Sequence, residues 1–439
     1  MRLINTTILD KEAQKKSYFG ITEISEKLGV SQKLIRRHIA SGALKSTKIG
    51  GVYKILPKSL EDFISTIDEI KEQISTSDVS QEKGFSLKLK STNNYKNNSK
   101  DDVNWVDIIG DWDNSKKSKL TFVDLFSGAG GITKGFELAG LNGICGLDWF
   151  EAAGKTYRRN FNHPFVEGDI KSPEKKAEFY ETVKKQLKGK QLNIVAGGFP
   201  CQGFSMAGNR IVDDPRNSLY RELLEIVTTL NPEFVVCENV VGIRSMHKGK
   251  VEEMILNDFK AAGYEMKVTV LRAADYGVPQ KRDRVIFVGN RINKINFHPK
   301  PFLKPTEYIS TGEAIGDLME MGDNPEFNHV LTKHRPDMAE RMLALEEGKS
   351  LYKGYSDAWK KCPWDEASCT IKENHGGVNV HPKLPRVLTA REMARIQSFP
   401  DDFIFEGPKN KQLVQLGNAV PPLLSKAIGL AIRKSYDLI

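Results

Sequence analysis

The chain has 439 residues, 39% hydrophobic and 28% charged, with a formal net charge of +9; the length predicts two or three domains and the composition a soluble globular protein. No apolar run approaches the roughly 18 residues of a membrane span and the first residues lack a secretory pattern, so no membrane partner and a cytoplasmic location are expected. Five cysteines (Cys145, Cys201, Cys237, Cys362, Cys369), odd in number and without CxxC spacing, argue against a disulfide framework and a structural zinc site.

The charge is uneven. Residues 1–100 hold 18 Lys/Arg against 11 Asp/Glu, and from Ser31 to Lys58 there are seven basic residues and no acid. Such a run is either a solvated face or a site for a polyanion. Pattern favours the polyanion: Ile21, Ile24, Leu28, Val30, Leu34, Ile35 and Ile39 recur at helical spacing, broken at Gly29 with Ser31 as N-cap. That reads as helix, tight turn, helix. Lys33, Arg36 and Arg37 fall on the second helix, where phosphates and base edges would be met. "KIGGVYKI" adds two short strands about a glycine turn, a wing. The stretch resembles the excisionase-like and MerR-like winged helix-turn-helix domains, expected over residues 1–65, with a protein-interaction domain as the second reading. Residues 66–118, rich in Ser, Asn, Lys and Asp, predict a flexible linker. Near its end, Trp105, Ile108, Ile109 and Trp112 either dock on the next domain or begin its core.

An α/β rhythm starts at Leu120. The run to Leu125 is a strand, Ser127, Gly128, Gly130 and Gly131 form a turn, and an amphipathic helix follows. Glycine lets a backbone approach a ligand closely, and the helix start offers free N–H donors. "GICGLDWF" is a second strand ending at Asp148 and Trp149, an acid suited to ribose hydroxyls and an aromatic suited to adenine. "FVEGDI" ends a third strand at Asp169 and Ile170. The fourth, "LNIVAGGFPCQGFS", carries Cys201 just beyond its end, with Pro200 fixing the approach. The fifth, "PEFVVCENVVGI", ends at Glu238 and Asn239; a loop with Gln280, Arg282 and Arg284 then enters a sixth apolar strand. A thiolate that adds to a ring, an acid that protonates a ring nitrogen and arginines that bind a carbonyl oxygen and a phosphate make a definite chemistry around one adenosine pocket.

Eight blocks, "DLFSGAGG", "GLDWF", "EGDI", "GGFPCQGFS", "ENV", "QKRDRVIFVG", "RVLTAREMARIQSFPDDF" and "QLGNAVPP", stand in the order of the DNA (cytosine-5) methyltransferases, bacterial restriction-modification and phage enzymes. The resemblance covers almost all of residues 119–439. It implies a Rossmann-like S-adenosylmethionine-dependent domain over 119–290, an inserted smaller target-recognition domain over 291–385, and a C-terminal part, 386–439, completing the catalytic domain. By the same resemblance Phe126, Ser127, Gly128, Gly130, Asp148, Trp149, Asp169, Ile170, Asn418 and Val420 hold S-adenosylmethionine. Cys201 is implied as nucleophile, Glu238 as the acid near cytosine N3, and Arg282 and Arg284 as the groups that fix the flipped base, with Pro200 and Asn239 beside them. The loop "SMAGNRIVDDPRNSLY" is the expected lid; Ala207 stands where some members carry a serine. Gln202, Ser205 and Arg216 are expected against DNA.

Residues 291–385 carry 13 Lys/Arg against 14 Asp/Glu, so charge does not mark them as a DNA face. "ASCTIKENHGGVNVHPKLPR" is the candidate reading segment, with Lys372, Asn374, His375 and Asn379 able to meet base edges; its plain reading is a hairpin with a glycine turn. The implied partners are double-stranded DNA, the chain's own promoter through its N-terminal domain, and a cognate restriction endonuclease as functional partner; a monomer is expected on the methylation target. Two alternatives share these residues, an RNA (tRNA) cytosine-5 methyltransferase and a DNA-binding transcriptional regulator. A nicotinamide-dependent oxidoreductase would leave Cys201, Glu238 and the arginines without a task.

Overall fold

A computed structural model describes residues 19–21, 24, 35, 39, 44–49, 52–60, 103–113, 117–200, 218–352, 359–374 and 377–437. The chain forms two units, Met1–Lys83 and Gly84–Ile439. In the first, Ile21, Ile24, Ile35 and Ile39 lie in helix, and Phe19, Ile21, Ile24, Ile35, Leu44, Ile55 and Leu60 form one buried cluster. Strands β1 (Thr47–Ile49) and β2 (Val52–Lys54) pair antiparallel, the hairpin that "KIGGVYKI" predicts. Phe19 and Ile55 exchange backbone hydrogen bonds of 2.7 and 2.9 Å, fastening the hairpin to the residues just before Ile21. Lys33, Arg36 and Arg37 lie outside the described residues.

The first described element of the second unit is β3 (Asn104–Val106), and the unit is built on a seven-stranded sheet. Its strands are β4 (Thr121–Leu125), β5 (Asn142–Asp148), β6 (Phe165–Glu167), β7 (Ile194–Gly197), β8 (Phe234–Val240), β9 (Glu265–Arg272) and β10 (Asp283–Asn290). They lie in the order β6-β5-β4-β7-β8-β10-β9. β4 to β8 are parallel, and β10 runs antiparallel to both its neighbours. The strands read as near-continuous apolar runs because both faces of the sheet are covered. Phe122, Ile194, Ala196, Phe234, Val236 and Ile286 face one core; Val123, Leu125, Val195, Val235, Val285 and Phe287, one residue out of step, face the other.

Helices α1 (Gly131–Leu138), α2 (Glu151–Asn160), α3 (Pro173–Leu187), α4 (Ser218–Leu230) and α5 (Lys250–Ala261) follow the strands, and α6 (Ala390–Ile396), α7 (Lys409–Asn418) and α8 (Pro422–Asp437) end the chain. Side chains of α3, α4 and α5 cover the second core, and those of α1 and α8 the first. Two glycines permit that last contact: a Cβ on Gly135 would lie 2.3 Å from the Pro422 carbonyl oxygen, and one on Gly429 2.8 Å from the Ala139 Cβ. The final helix therefore lies beside the first one of the sheet.

Three features differ from the sequence reading. β9 is absent from the predicted elements; its Met266, Val268 and Val270 alternate with Lys267 and Thr269 along an edge strand, so no continuous apolar run marks it. The linker expected to reach residue 118 ends earlier: β3 pairs in parallel with β11 (Phe297–Pro299), and Ile108 and Trp112 are buried in the first core. Lys434 forms an ion pair with Asp111 at 2.6 Å and Lys426 Nζ donates to the Trp112 carbonyl at 2.5 Å, so this segment belongs to the catalytic unit despite its polar surroundings. Among the described residues, 291–385 share their buried side chains with other parts of the unit. Phe302 and Leu303 join the first core, while Ala314, Ile315, Ile371 and Val380 share a third with Tyr157 and Phe161 of α2, Met393 of α6 and Leu413 of α7. Packing runs unbroken across residue 386. Among the described residues no helix is long and apolar enough to cross a membrane.

Candidate active site

The C-terminal ends of the parallel strands gather the polar groups. After β4 the backbone turns left-handed at Phe126 (φ 55°), Gly128 (φ 52°) and Gly130 (φ 91°) before α1 begins. A Cβ on Gly128 would meet nothing within 4 Å, which leaves open space on that side of the turn. Asp148, at the end of β5, accepts from the Gly128 amide through Oδ2 at 2.8 Å and from the Phe150 amide through Oδ1 at 2.8 Å. Burial raises its pKa and the backbone amides pull it back. Trp149 beside it is 73% exposed, an unusual position for so large an apolar surface. Ser127 and Ile170 are buried, whereas Asp169 is exposed and accepts from the Lys171 amide at 3.0 Å. From the other end of the chain Val420 closes in: a Cβ on Gly131 would lie 2.1 Å from its carbonyl oxygen. Asn418, the last residue of α7, is exposed.

Two strands away lies a second polar group. In the β8–β10 register Ile286 stands opposite Glu238, so Arg284, two residues earlier on the same face, is its diagonal neighbour. Arg284 Nε meets Glu238 Oε1 at 2.7 Å, both side chains being 12% exposed. A Cβ on Gly198 would lie 3.0 Å from Glu238 Oε2, so glycine there keeps the carboxylate clear. Asn239 Nδ2 donates to the Phe199 carbonyl at 2.9 Å, which fixes the chain one residue before the exposed Pro200. Cys201, Gln202, Ser205 and Arg216 lie outside the described residues. The structure thus brings Glu238, Asn239, Arg284 and Pro200 together.

Arg282 differs from its expected role. Its guanidinium is buried and donates to three backbone carbonyls, Ile371 at 3.3 Å, Gly417 at 3.2 Å and Ala419 at 3.1 Å, so it holds chain segments together and presents no free fork to a base.

Residues 120–434 match the C-5 cytosine-specific DNA methylase family and residues 18–67 a helix-turn-helix domain. The chain belongs to the C-5 cytosine-specific DNA methylases. It is an enzyme, a DNA cytosine-5 methyltransferase, and the family and fold imply S-adenosylmethionine as methyl donor. It is 37% identical to the type II methyltransferase M1.HphI of Haemophilus parahaemolyticus over 72% of this chain and 87% of that protein. It is 30% identical to the type II methyltransferase M.Eco47II of Escherichia coli over 97% of each chain, the N-terminal unit included. The fold is that of a DNA modification methyltransferase encoded within an E. coli prophage, with a TM-score of 0.60 at 24% identity over 73% of this chain and 100% of that one.

The residues of this methylase fit an adenosyl group. Open space at Gly128, a carboxylate held by two amides at Asp148 and the bare ring of Trp149 are a cradle, a hydroxyl acceptor and a stacking surface. The candidate reading segment is a hairpin, β12 (Glu373–Asn374) with β13 (Gly377–Val378), as its plain reading predicts. Lys372 is half-buried and His375 lies outside the described residues. Asn379 does not reach out: it is 1% exposed, its Oδ1 accepts from the Lys372 amide at 3.2 Å and its Nδ2 donates to Cys369 Sγ at 3.3 Å. Its amide braces the hairpin, which corrects its expected place among the base-reading groups.

Sequence reasoning missed a buried chain under the cofactor turn. Thr133 donates to Asp124 Oδ2 at 2.6 Å, the Thr133 and Tyr157 hydroxyls are 3.0 Å apart, and Tyr157 lies 2.7 Å from His163 Nε2. Burial raises Asp124 to a pKa of about 7, opposed by the Thr133 hydrogen bonds, and lowers His163 to about 4. An acid in the middle of an apolar strand is the signal that would have found it.

Proposed function

We propose that this methylase modifies C5 of a cytosine turned out of duplex DNA, as the protective enzyme of a restriction-modification system, through a transient bond between Cys201 and C6. The observation that carries the reading is the Arg284–Glu238 pair on the same sheet edge as Asp148 and Trp149. Phe126, Ser127, Gly128, Gly130, Asp148, Trp149, Asp169, Ile170, Asn418 and Val420 hold the cofactor in this reading. When bound, S-adenosylmethionine supplies an electrophilic methyl group.

Cytosine C5 is a poor nucleophile until C6 is saturated. The Cys201 thiolate bonds to C6, and the ring electrons move toward N3, where Glu238 supplies the proton. Arg284 orients the Glu238 carboxyl and offers its remaining N–H groups to the ring's carbonyl oxygen. After C5 has gained the methyl group, its proton leaves to a base, the C5–C6 double bond re-forms as the C6–sulfur bond breaks, N3 returns its proton to Glu238, and the thiolate is restored. A stacked cytosine cannot reach Cys201, so the base must leave the helix, at a general cost of a few kcal/mol. The N-terminal unit, with its acid-free basic run, binds DNA separately and regulates the gene that encodes it. The similarity to M.Eco47II, which runs through both units, supports a role for the N-terminal unit in an enzyme of this kind.

Bisulfite sequencing of DNA from cells expressing the protein, beside a Cys201→Ser control, tests this reading. Methylated cytosine in one sequence context, lost in the control, is expected. No methylated cytosine, or equal methylation by the serine variant, refutes it.

A further inference from the structure

Three segments distant in sequence meet at residues 280–282. Gln280 and Arg282 stand two apart on the approach to β10, and both are buried. Gln280 Oε1 accepts from the Ile371 amide at 2.8 Å, and its Nε2 donates to Gln397 Oε1 at 2.9 Å. Gln397, fully buried just after α6, donates through Nε2 to the Leu416 carbonyl at 2.7 Å. Arg282 spans the same gap, from the Ile371 carbonyl to those of Gly417 and Ala419. Two struts thus run side by side from residue 371, where the reading hairpin starts, to 416–419, the turn that carries Asn418 and leads to Val420.

A buried guanidinium is an energetically costly way to join carbonyls. Among the described residues no carboxylate is bonded to it and its Nε has no partner. Burial pushes its pKa well below the ordinary value, the like charge of Arg284 adds to this, and Glu238 offsets part of it. Apolar side chains of the same volume would fill the space without that penalty. The planar fork supplies something packing does not: several donors at fixed angles, which set the separation of two backbone segments to within a hydrogen bond. The carbonyls it takes near Leu416 are those that the end of α7 leaves unpaired.

We propose that Arg282, Gln280 and Gln397 are positioning residues that couple cofactor binding to DNA reading, closure of Gly417–Val420 on the cofactor drawing Ile371 and its hairpin into register for the duplex. The inference rests on the proposed roles of Asn418 and Val420 toward the cofactor and of residues 371–379 toward DNA. Linkage makes the effect reciprocal: whatever factor the duplex adds to cofactor affinity, the cofactor adds to duplex affinity.

The probe is S-adenosylhomocysteine, titrated by calorimetry into the full chain alone and into its complex with a duplex bearing the sequence mapped by bisulfite. In the wild type the duplex should tighten this ligand by about fivefold or more, and in Gln397→Met and Arg282→Lys the ratio should fall to within about twofold of unity. General loosening of the fold would weaken both titrations together and leave the ratio in place. Hydrogen exchange on the wild type gives an arm free of variants: S-adenosylhomocysteine without DNA should slow exchange at the Ile371 amide. A wild-type ratio near unity, a ratio unchanged in both variants, or an Ile371 amide indifferent to the ligand overturns the coupling and leaves the methylation reading standing. A wild-type chain that binds no S-adenosylhomocysteine overturns both.

Discussion

The sheet edge and the segment 369–379 both carry polar groups, and they use them in opposite ways. At the edge each strand delivers one group: Asp148 at the end of β5, Glu238 near the end of β8 and Arg284 near the start of the antiparallel β10. Strand spacing and register then decide which groups meet, and Arg284 reaches Glu238 because the two are diagonal across one pair. In the segment, Asn379, the Cys369 sulfur and the backbone at Ile371 are consumed in holding the hairpin to its own support. A polar residue placed by topology is available to a ligand; one that has found a partner within its own loop is scaffolding.

The sharpest way to break this contrast is Glu238→Gln, which keeps the shape and the Arg284 neighbour but removes the acid. We expect the methylation rate to fall about 10²- to 10⁴-fold with duplex binding retained, read by labelled methyl transfer beside a gel shift. A variant that loses duplex binding in step with rate would make Glu238 scaffolding too.

Asp124 is the edge's buried counterpart, raised by burial from 3.8 to about 7. A raised acid binds its proton more tightly in the folded chain than in the unfolded one. The stability that comes with the proton is complete below 3.8 and is lost as the pH climbs to about 7. Asp124→Asn mimics the neutral form, so its Tm should rise relative to the wild type as the pH increases across that interval, a divergence that thermal unfolding at several pH values measures. Parallel curves would mean that Asp124 does not titrate there.

Gly131→Ala probes the far side of the cofactor turn. Its Cβ would lie 2.1 Å from the Val420 carbonyl oxygen, so a loss of about 1–3 kcal/mol in denaturant unfolding is expected, with a higher KM for S-adenosylmethionine. The smallest effects separate scaffold from reader within the hairpin. Asn379→Ala should cost about 1 kcal/mol of stability, whereas Lys372→Ala should weaken binding of the target duplex by about 1–3 kcal/mol and relax its sequence preference, read by competition between target and non-target duplexes.

Much of the sheet was legible because the strand-end residues are chemically conspicuous: an acid before an aromatic at Asp148–Trp149, an acid before an amide at Glu238–Asn239, each closing an apolar run. β9 was not, since an edge strand with alternating Lys267 and Thr269 looks like surface. Trp105 and Trp112 stood out from their polar neighbours, but whether they dock on the next domain or begin its core was not legible, since that depends on β11 and on Phe302, nearly two hundred residues later. Arg282 reads from sequence as one more arginine in a binding loop; its three carbonyl partners come from two other regions of the chain, and only the folded structure brings them to it.

The placement of α8 against α1 has a consequence for synthesis. One face of the central sheet is only partly covered, by α1 and residues 108–112 and 302–303, until residues 422–437 have left the ribosome, so a nascent chain can hold every strand-end group and still lack much of the covering that keeps them in line.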